Sequence, residues 1–210
     1  MELSGNIFFD GPEGRIEALI KEPAGSITRS AVICHPHPLY GGTMHNKVVF
    51  RMARVFSSAG FVALRFNFRG VGKSAGKHDN GRGEQDDLVA AIDFAEQSYP
   101  GAQIWLGGFS FGASVMLKVG CRDGRVRALV AAGAPVGAFG FEPVERCEKD
   151  KLFVQGSLDQ FGPVDALSSF FERLAEPKRL VVIEGSGHFF EGHLDELESA
   201  ISDFICRLSA

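Results

Sequence analysis

Residues Gly108-Phe109-Ser110-Phe111-Gly112 form a G-x-S-x-G, a pattern that can set a serine hydroxyl on a sharp turn between a strand and a helix. Glycines two residues to either side keep Cβ atoms out of the space where strand and helix cross. A serine hydroxyl is a weak nucleophile until a base takes its proton. His188, in Gly185-Ser186-Gly187-His188-Phe189, is the candidate base. Asp159, in Gln155-Gly156-Ser157-Leu158-Asp159, is the candidate acid that would hold the imidazole in one tautomer and stabilise its protonated form. The chemistry such a trio can do is acyl transfer. In a chain with 26 glycines the five-residue motif is weak alone. Its strength comes from context, because each of the three residues follows directly on a predicted strand. Asp165 and His193 are the internal rivals; they fall at or inside the next helix and rank lower.

Acyl transfer also needs donors for the developing oxyanion. The backbone N–H of Phe111, just after the nucleophile, is the first. The second is expected from the loop His35-Pro36-His37-Pro38-Leu39-Tyr40-Gly41-Gly42. Pro36 and Pro38 have no N–H and would stiffen the loop instead. His37 is the first choice, with Leu39 or Tyr40 behind it. The His35-x-His37 pair could also suggest a metal, but no third ligand stands at a sensible spacing: His45 opens a helix, and His78 and Asp79 lie in another loop. Neither a metal nor a cofactor is expected.

The elements that would position these groups follow from periodicity. Residues 6–10 and 15–21 read as two strands around the turn Gly11-Pro12-Glu13-Gly14. The apolar run 30–34 reads as a strand buried on both faces. Val48, Val49, Met52, Val55 and Phe56 predict a helix over 45–59, stopped by Gly60. A strand over 61–68 and a helix over 84–99 follow. Then come strand 104–109, helix 111–121, strand 127–132, an irregular stretch 133–150, strand 152–155, helix 164–175, strand 179–184 and helix 194–208. Strands alternating with helices predict an α/β fold with a mostly parallel sheet, helices on both faces and the site at the strands' carboxyl ends. The 210 residues suit a single domain.

One stretch competes for attention. Arg69-Gly70-Val71-Gly72-Lys73-Ser74 ends like a phosphate-binding P-loop. That motif needs a glycine at position 67, which is Asn67, and a helix directly after the loop. Here a polar loop follows, and the helix waits until Glu84. Phosphate cradling is therefore not expected.

Composition narrows the rest. A net charge of −4 and scattered Lys and Arg argue against a nucleic-acid surface. The longest apolar candidate, 48–68, is broken by Arg51, Arg54 and Arg65, so no membrane span is expected. The N-terminus has no basic segment followed by an apolar one. Cys34, Cys121, Cys147 and Cys206 are far apart and read as free, mostly buried thiols, with Cys34 simply packed. The expected location is the cytoplasm.

The stretches CHPHPLYGGTMHNKVV, FNFRGVGKSAG, GGFSFGA, GSLDQFGP and GSGHFF resemble the small bacterial serine α/β-hydrolases related to dienelactone hydrolase, over nearly the whole chain. The resemblance implies an eight-stranded sheet whose second strand is antiparallel to the rest. It also implies that the R-G-x-G-x-S turn supports loops near the active site and binds no nucleotide. Dienelactone hydrolase itself has a cysteine nucleophile; Ser110 stands there in this chain, a departure that bears on the substrate. Many relatives carry a helical cap after the strand matching 127–132, where this chain has only about fifteen residues before the next strand, too few for one. An open site is expected, bordered by residues 137–141, Phe161, Phe189 and Phe190, with Leu39, Tyr40, Phe161 and Phe189 as candidate pocket residues. The expected function is a serine esterase or thioesterase acting on a small-molecule acyl substrate; the alternative is a non-catalytic scaffold or binding protein on the same fold.

Overall fold

Apolar runs set the centre of the sheet. β3 (Arg29–Cys34), β5 (Gln103–Phe109), β6 (Val126–Ala132) and β7 (Asp150–Gly156) are buried along almost their whole length. That is the mark of strands covered on both faces. β1 (Gly5–Gly11), β2 (Gly14–Lys21), β4 (Val62–Phe66) and β8 (Lys178–Ile183) complete the set. The structure is a computed structural model that describes residues 5–136 and 142–209. Its sheet has the order β1-β2-β4-β3-β5-β6-β7-β8. β2 runs antiparallel to β1 and β4, and every other neighbouring pair is parallel. The expected topology, including the antiparallel second strand, is the observed one.

Helices cover both faces. α1 (Lys47–Ser58) and α6 (Leu194–Ser209) pack on one, around Met52, Phe56, Trp105, Ile201 and Phe204. α2 (Gly83–Ser98), α3 (Phe111–Gly120) and α5 (Val164–Arg173) pack on the other, around Leu88, Ile92, Met116, Leu117 and Phe170. α1 starts two residues later than its periodicity predicts. Asn46 is its cap, accepting hydrogen bonds from the N–H of Val48 and Val49. β4 ends two residues earlier than expected: Asn67 N–H still bonds the Glu17 carbonyl of β2, but Phe68 N–H turns to the His35 ring. The stretch expected to be irregular before β7 contains one helical turn, α4 (Glu142–Glu145).

The P-loop-like turn has a structural job. Five of its six N–H groups are already committed: Arg69 to Asp87 Oδ2, Gly70 to the Ala75 carbonyl, Val71 to that of Phe68, Lys73 to Glu17 Oε2 and Ser74 to the Val71 carbonyl. The Ser74 hydroxyl donates to the Asn67 carbonyl and accepts from the N–H of Glu17, tying the turn to β2. These groups cannot also cradle a phosphate. The turn is clamped to α2 by Arg69, whose Nε and Nη2 meet Asp87 at 2.8–3.1 Å. Both side chains are buried. Removing one partner of such a pair strands the other's charge away from water. Asp87→Ala is expected to lower stability by about 3–5 kcal/mol in urea unfolding; a loss below about 1 kcal/mol would put the pair with the solvent-screened ones.

Candidate active site

The elbow has the geometry its sequence predicts. Ser110 sits at φ 56°, ψ −121°, a conformation that L-residues rarely hold, between the end of β5 and the start of α3. Its N–H bonds the Ala132 carbonyl, and its own carbonyl accepts from Ala113 and Ser114. The hydroxyl lies 2.9 Å from His188 Nε2, and His188 Nδ1 lies 2.7 Å from Asp159 Oδ2. A carboxylate facing an imidazole accepts, so the proton belongs on Nδ1 and the lone pair of Nε2 faces the serine hydroxyl. That is the arrangement in which the imidazole can take the serine proton.

The loops that carry the base and the acid are stitched together. Ser157 N–H bonds the Ile183 carbonyl, Leu158 N–H bonds that of Ser186, and Gly185 N–H bonds the Ser157 hydroxyl. Asp159 Oδ1 accepts from the N–H groups of Phe161 and Gly162 at 2.8 and 3.0 Å. Oδ2 accepts from Gln155 Nε2 as well as from His188. Gln155, fully buried at the end of β7, also donates to the Gly162 carbonyl. Sequence reasoning missed it, although a polar residue closing an apolar strand just before the acid was a usable signal. Gly133, at φ 55°, leaves the space beside the His188 ring open; a Cβ there would stand 3.2 Å from Cε1. Of the rivals, Asp165 is exposed in the first turn of α5, and His193 faces Glu196. Neither enters this network.

The loop after β3 discriminates among the expected oxyanion donors. Leu39 N–H donates to His37 Nδ1, and Tyr40 N–H to the His37 carbonyl, within a short 3-10 turn over Pro38–Tyr40. His37 N–H has no hydrogen-bond partner among the described residues. The His37 ring lies 4.9 Å from that of Phe111, so the two candidate donors are neighbours. Burial pushes the His37 pKa down, His78 adds to the shift, and Glu84 opposes it.

His35 is spoken for. Its Nδ1 donates to the Pro36 carbonyl at 2.6 Å and its Nε2 accepts the Phe68 N–H at 3.0 Å, which spends both nitrogens that a metal would need. Among the described residues no cluster of three His, Cys, Asp or Glu has ligand geometry. Cys34 beside it is fully buried, and burial, with Asp87 adding to it, raises its thiol well above the usual range. All four cysteines are free; Cys34 and Cys147 are buried, Cys121 is half-buried and Cys206 exposed.

The rim is apolar and open. Phe161 is 55 % and Phe189 49 % exposed, and both rings border His188, at 4.8 and 5.2 Å. Leu39 and Tyr40, in the loop after β3, project into solvent. Phe190 corrects the expectation that it borders the site: it is 0 % exposed and packs into the core under α6, because a φ of 53° turns it inward from its neighbour. Residues 137–141, also expected at the rim, lie outside the described residues.

A serine elbow on this sheet, with acid and base after the next strand ends, defines a class. The chain belongs to the α/β hydrolase fold family, whose pattern matches residues 32–146. It is similar to an α/β serine hydrolase homologue from Coxiella burnetii, at 39 % identity and a TM-score of 0.92, covering 97 % of this chain and 98 % of that one. It is equally similar in shape to a lid-less α/β serine hydrolase from Xanthomonas campestris, at 33 % identity and a TM-score of 0.92 over 99 % of this chain and 96 % of that one. An uncharacterised protein of Rickettsia prowazekii (strain Madrid E) is 35 % identical over 213 residues, 97 % of this chain and 90 % of that one. The fold is that of the cap-less bacterial serine α/β hydrolases.

His35 makes the site sensitive to acid. Burial lowers its pKa from 6.5 to about 4, with the Pro36 hydrogen bond pulling the other way. The unfolded chain therefore binds this proton first, and stability drains away as pH falls from about 6.5 to about 4, by about 3 kcal/mol in all. His35→Gln, which cannot titrate, should flatten the stability–pH curve over that window relative to wild type; an unchanged slope would remove His35 as its source.

Proposed function

We propose that the protein is a serine esterase or thioesterase that hydrolyses small acyl substrates through an acyl-enzyme on Ser110. The observation that carries this reading is the unbroken chain from Asp159 through His188 to the Ser110 hydroxyl, with contacts of 2.7 and 2.9 Å. His188 Nε2 takes the serine proton as Oγ attacks the carbonyl carbon. Asp159 steadies the imidazolium, and the N–H groups of Phe111 and His37 receive the oxyanion. His188 then gives its proton to the departing alkoxide or thiolate. Water, deprotonated by the same imidazole, attacks the acyl-enzyme and releases the acid.

Phe161, Phe189, Leu39 and Tyr40 offer an apolar border to the acyl or leaving group, and the open rim suits small substrates. No helix among the described residues is long and apolar enough to cross a membrane. Four free thiols suit a reducing compartment, and we read the enzyme as cytoplasmic.

The test is hydrolysis of p-nitrophenyl esters from acetate to palmitate, with fluorophosphonate labelling in parallel. Wild type should turn over the short esters and take the label. Ser110→Ala should fall to the buffer rate and stay unlabelled. Asp159→Asn should lose on the order of 10³–10⁴-fold in kcat, because the imidazole then favours the wrong tautomer. A wild type that neither exceeds the buffer rate nor labels would overturn the reading in favour of a scaffold.

A further inference from the structure

One histidine near the site has no role in the reaction above. His78 follows the Arg69–Ser74 turn, and its side chain is 9 % exposed. Its Nδ1 lies 2.7 Å from Glu84 Oε1, set off the axis of a hydrogen bond, and neither ring nitrogen has a hydrogen-bond partner among the described residues. Glu84 is 0 % exposed. Its carboxylate accepts the N–H groups of Asp79 and Gly81, at 2.9 and 2.8 Å. Burying an imidazole and a carboxylate together is costly, and folds retain such costs where position matters.

What this pair touches gives the position its meaning. The His78 ring lies 5.0 Å from the ring of His37 and 5.7 Å from that of Phe111. The His37 and Phe111 rings lie 4.9 Å from each other. So three rings meet, and two of them belong to the residues whose N–H groups face the oxyanion in the proposed reaction. Leu39 and Tyr40 of the His37 loop are exposed, while the His37 ring packs on His78 and Phe111. The turn before His78 is held by Ser74 and by the Arg69–Asp87 clamp, and it passes so close to the main chain of His78 that a Cβ on Gly70 would stand 3.3 Å from the backbone nitrogen.

We propose that His78, anchored on Glu84, is a positioning residue that wedges the His37 loop against Phe111 and so fixes the oxyanion donors. This rests on the serine-hydrolase reading above. Oxyanion donors act only when held within a few tenths of an ångström of their target. Removing a donor outright costs about 10²–10³ in kcat; loosening one should cost about tenfold. The loss should fall on kcat, because the contact concerns the transition state and not ground-state binding.

The experiment compares wild type, His78→Ala and His78→Phe on p-nitrophenyl acetate, with phenylboronic acid as a probe that forms a tetrahedral adduct on Ser110. For His78→Ala, kcat should fall about tenfold with KM within about twofold, and the boronate inhibition constant should rise by a similar factor. His78→Phe, which restores a ring in the slot, should return kcat to within about threefold of wild type. If His78→Ala does not fold by circular dichroism, His78→Gln replaces it with the same thresholds. An unchanged kcat, a change confined to KM, or a loss that Phe does not restore overturns the proposal. In those cases the reaction itself stands if wild type is active and Ser110→Ala is not. A wild type that is inactive and unlabelled overturns both.

Discussion

The tightest constraint in the molecule is the place where three backbones meet. β5 turns into α3 across the end of β3, and no side chain fits between them. A Cβ on Gly108 would stand 2.5 Å from the Gly112 carbonyl oxygen, and one on Gly112 would stand 2.6 Å from that of Cys34. Backbone atoms cannot yield as a flexible side chain can, so these two positions must be glycine. The close crossing forces the turn between them, and the turn forces Ser110 to φ 56°. It also brings the end of β3 against the start of α3, which makes His37 and Phe111 neighbours. The strained turn at Ser110 and the nearness of His37 to Phe111 are thus consequences of one packing event.

Asp159 and His188 depend on a looser but equally physical arrangement. β7 and β8 are parallel neighbours, so their carboxyl-end loops emerge side by side and bond each other through Ser157, Leu158 and Gly185. Asp159 then serves two purposes. With four donors around its carboxylate, it organises its own loop through Phe161 and Gly162 and orients His188 from the other oxygen. A lone aspartate after a strand would ordinarily cap the following helix. Here α5 has Pro163 at its cap and no side-chain cap, which leaves Asp159 to the site.

Periodicity and position made most of this legible. Apolar runs identify the inner strands, the 3.6-residue spacing identifies α1, and Gly108, Ser110 and Gly112 mark the elbow in the sequence itself. What stayed hidden depends on tertiary partners. Phe189 and Phe190 are adjacent and chemically alike, yet one borders the site and the other fills the core, a choice made by a positive φ that no local pattern announces. His35 looked like half of a metal pair because its spacing to His37 is visible and its two backbone partners, one of them 33 residues away, are not. Gln155 was a different case: its partners Asp159 and Gly162 are local, and a polar residue closing an apolar strand was a signal that went unused. The Arg69–Ser74 turn could be rejected as a phosphate site from spacing alone, but its attachment to Glu17 and Asp87 needed the fold.

An enzyme with a lid can assemble its donors when the lid closes. A cap-less fold has no such step, so the order must exist in the resting molecule. The loop from Pro36 to Gly42 shows how that is achieved. Two prolines restrict its path, the His37 carbonyl accepts from both Tyr40 and Gly42, and the ring of His35 pins its root to the end of β4. Each bond removes a degree of freedom from the segment that presents the His37 N–H. The cost is a buried histidine that resists protonation and a rim of phenylalanines left facing water. Rigidity of the His37 loop and exposure of the rim phenylalanines are therefore two sides of one arrangement: the loop is ordered by packing beneath it, while the side chains above it stay in contact with water.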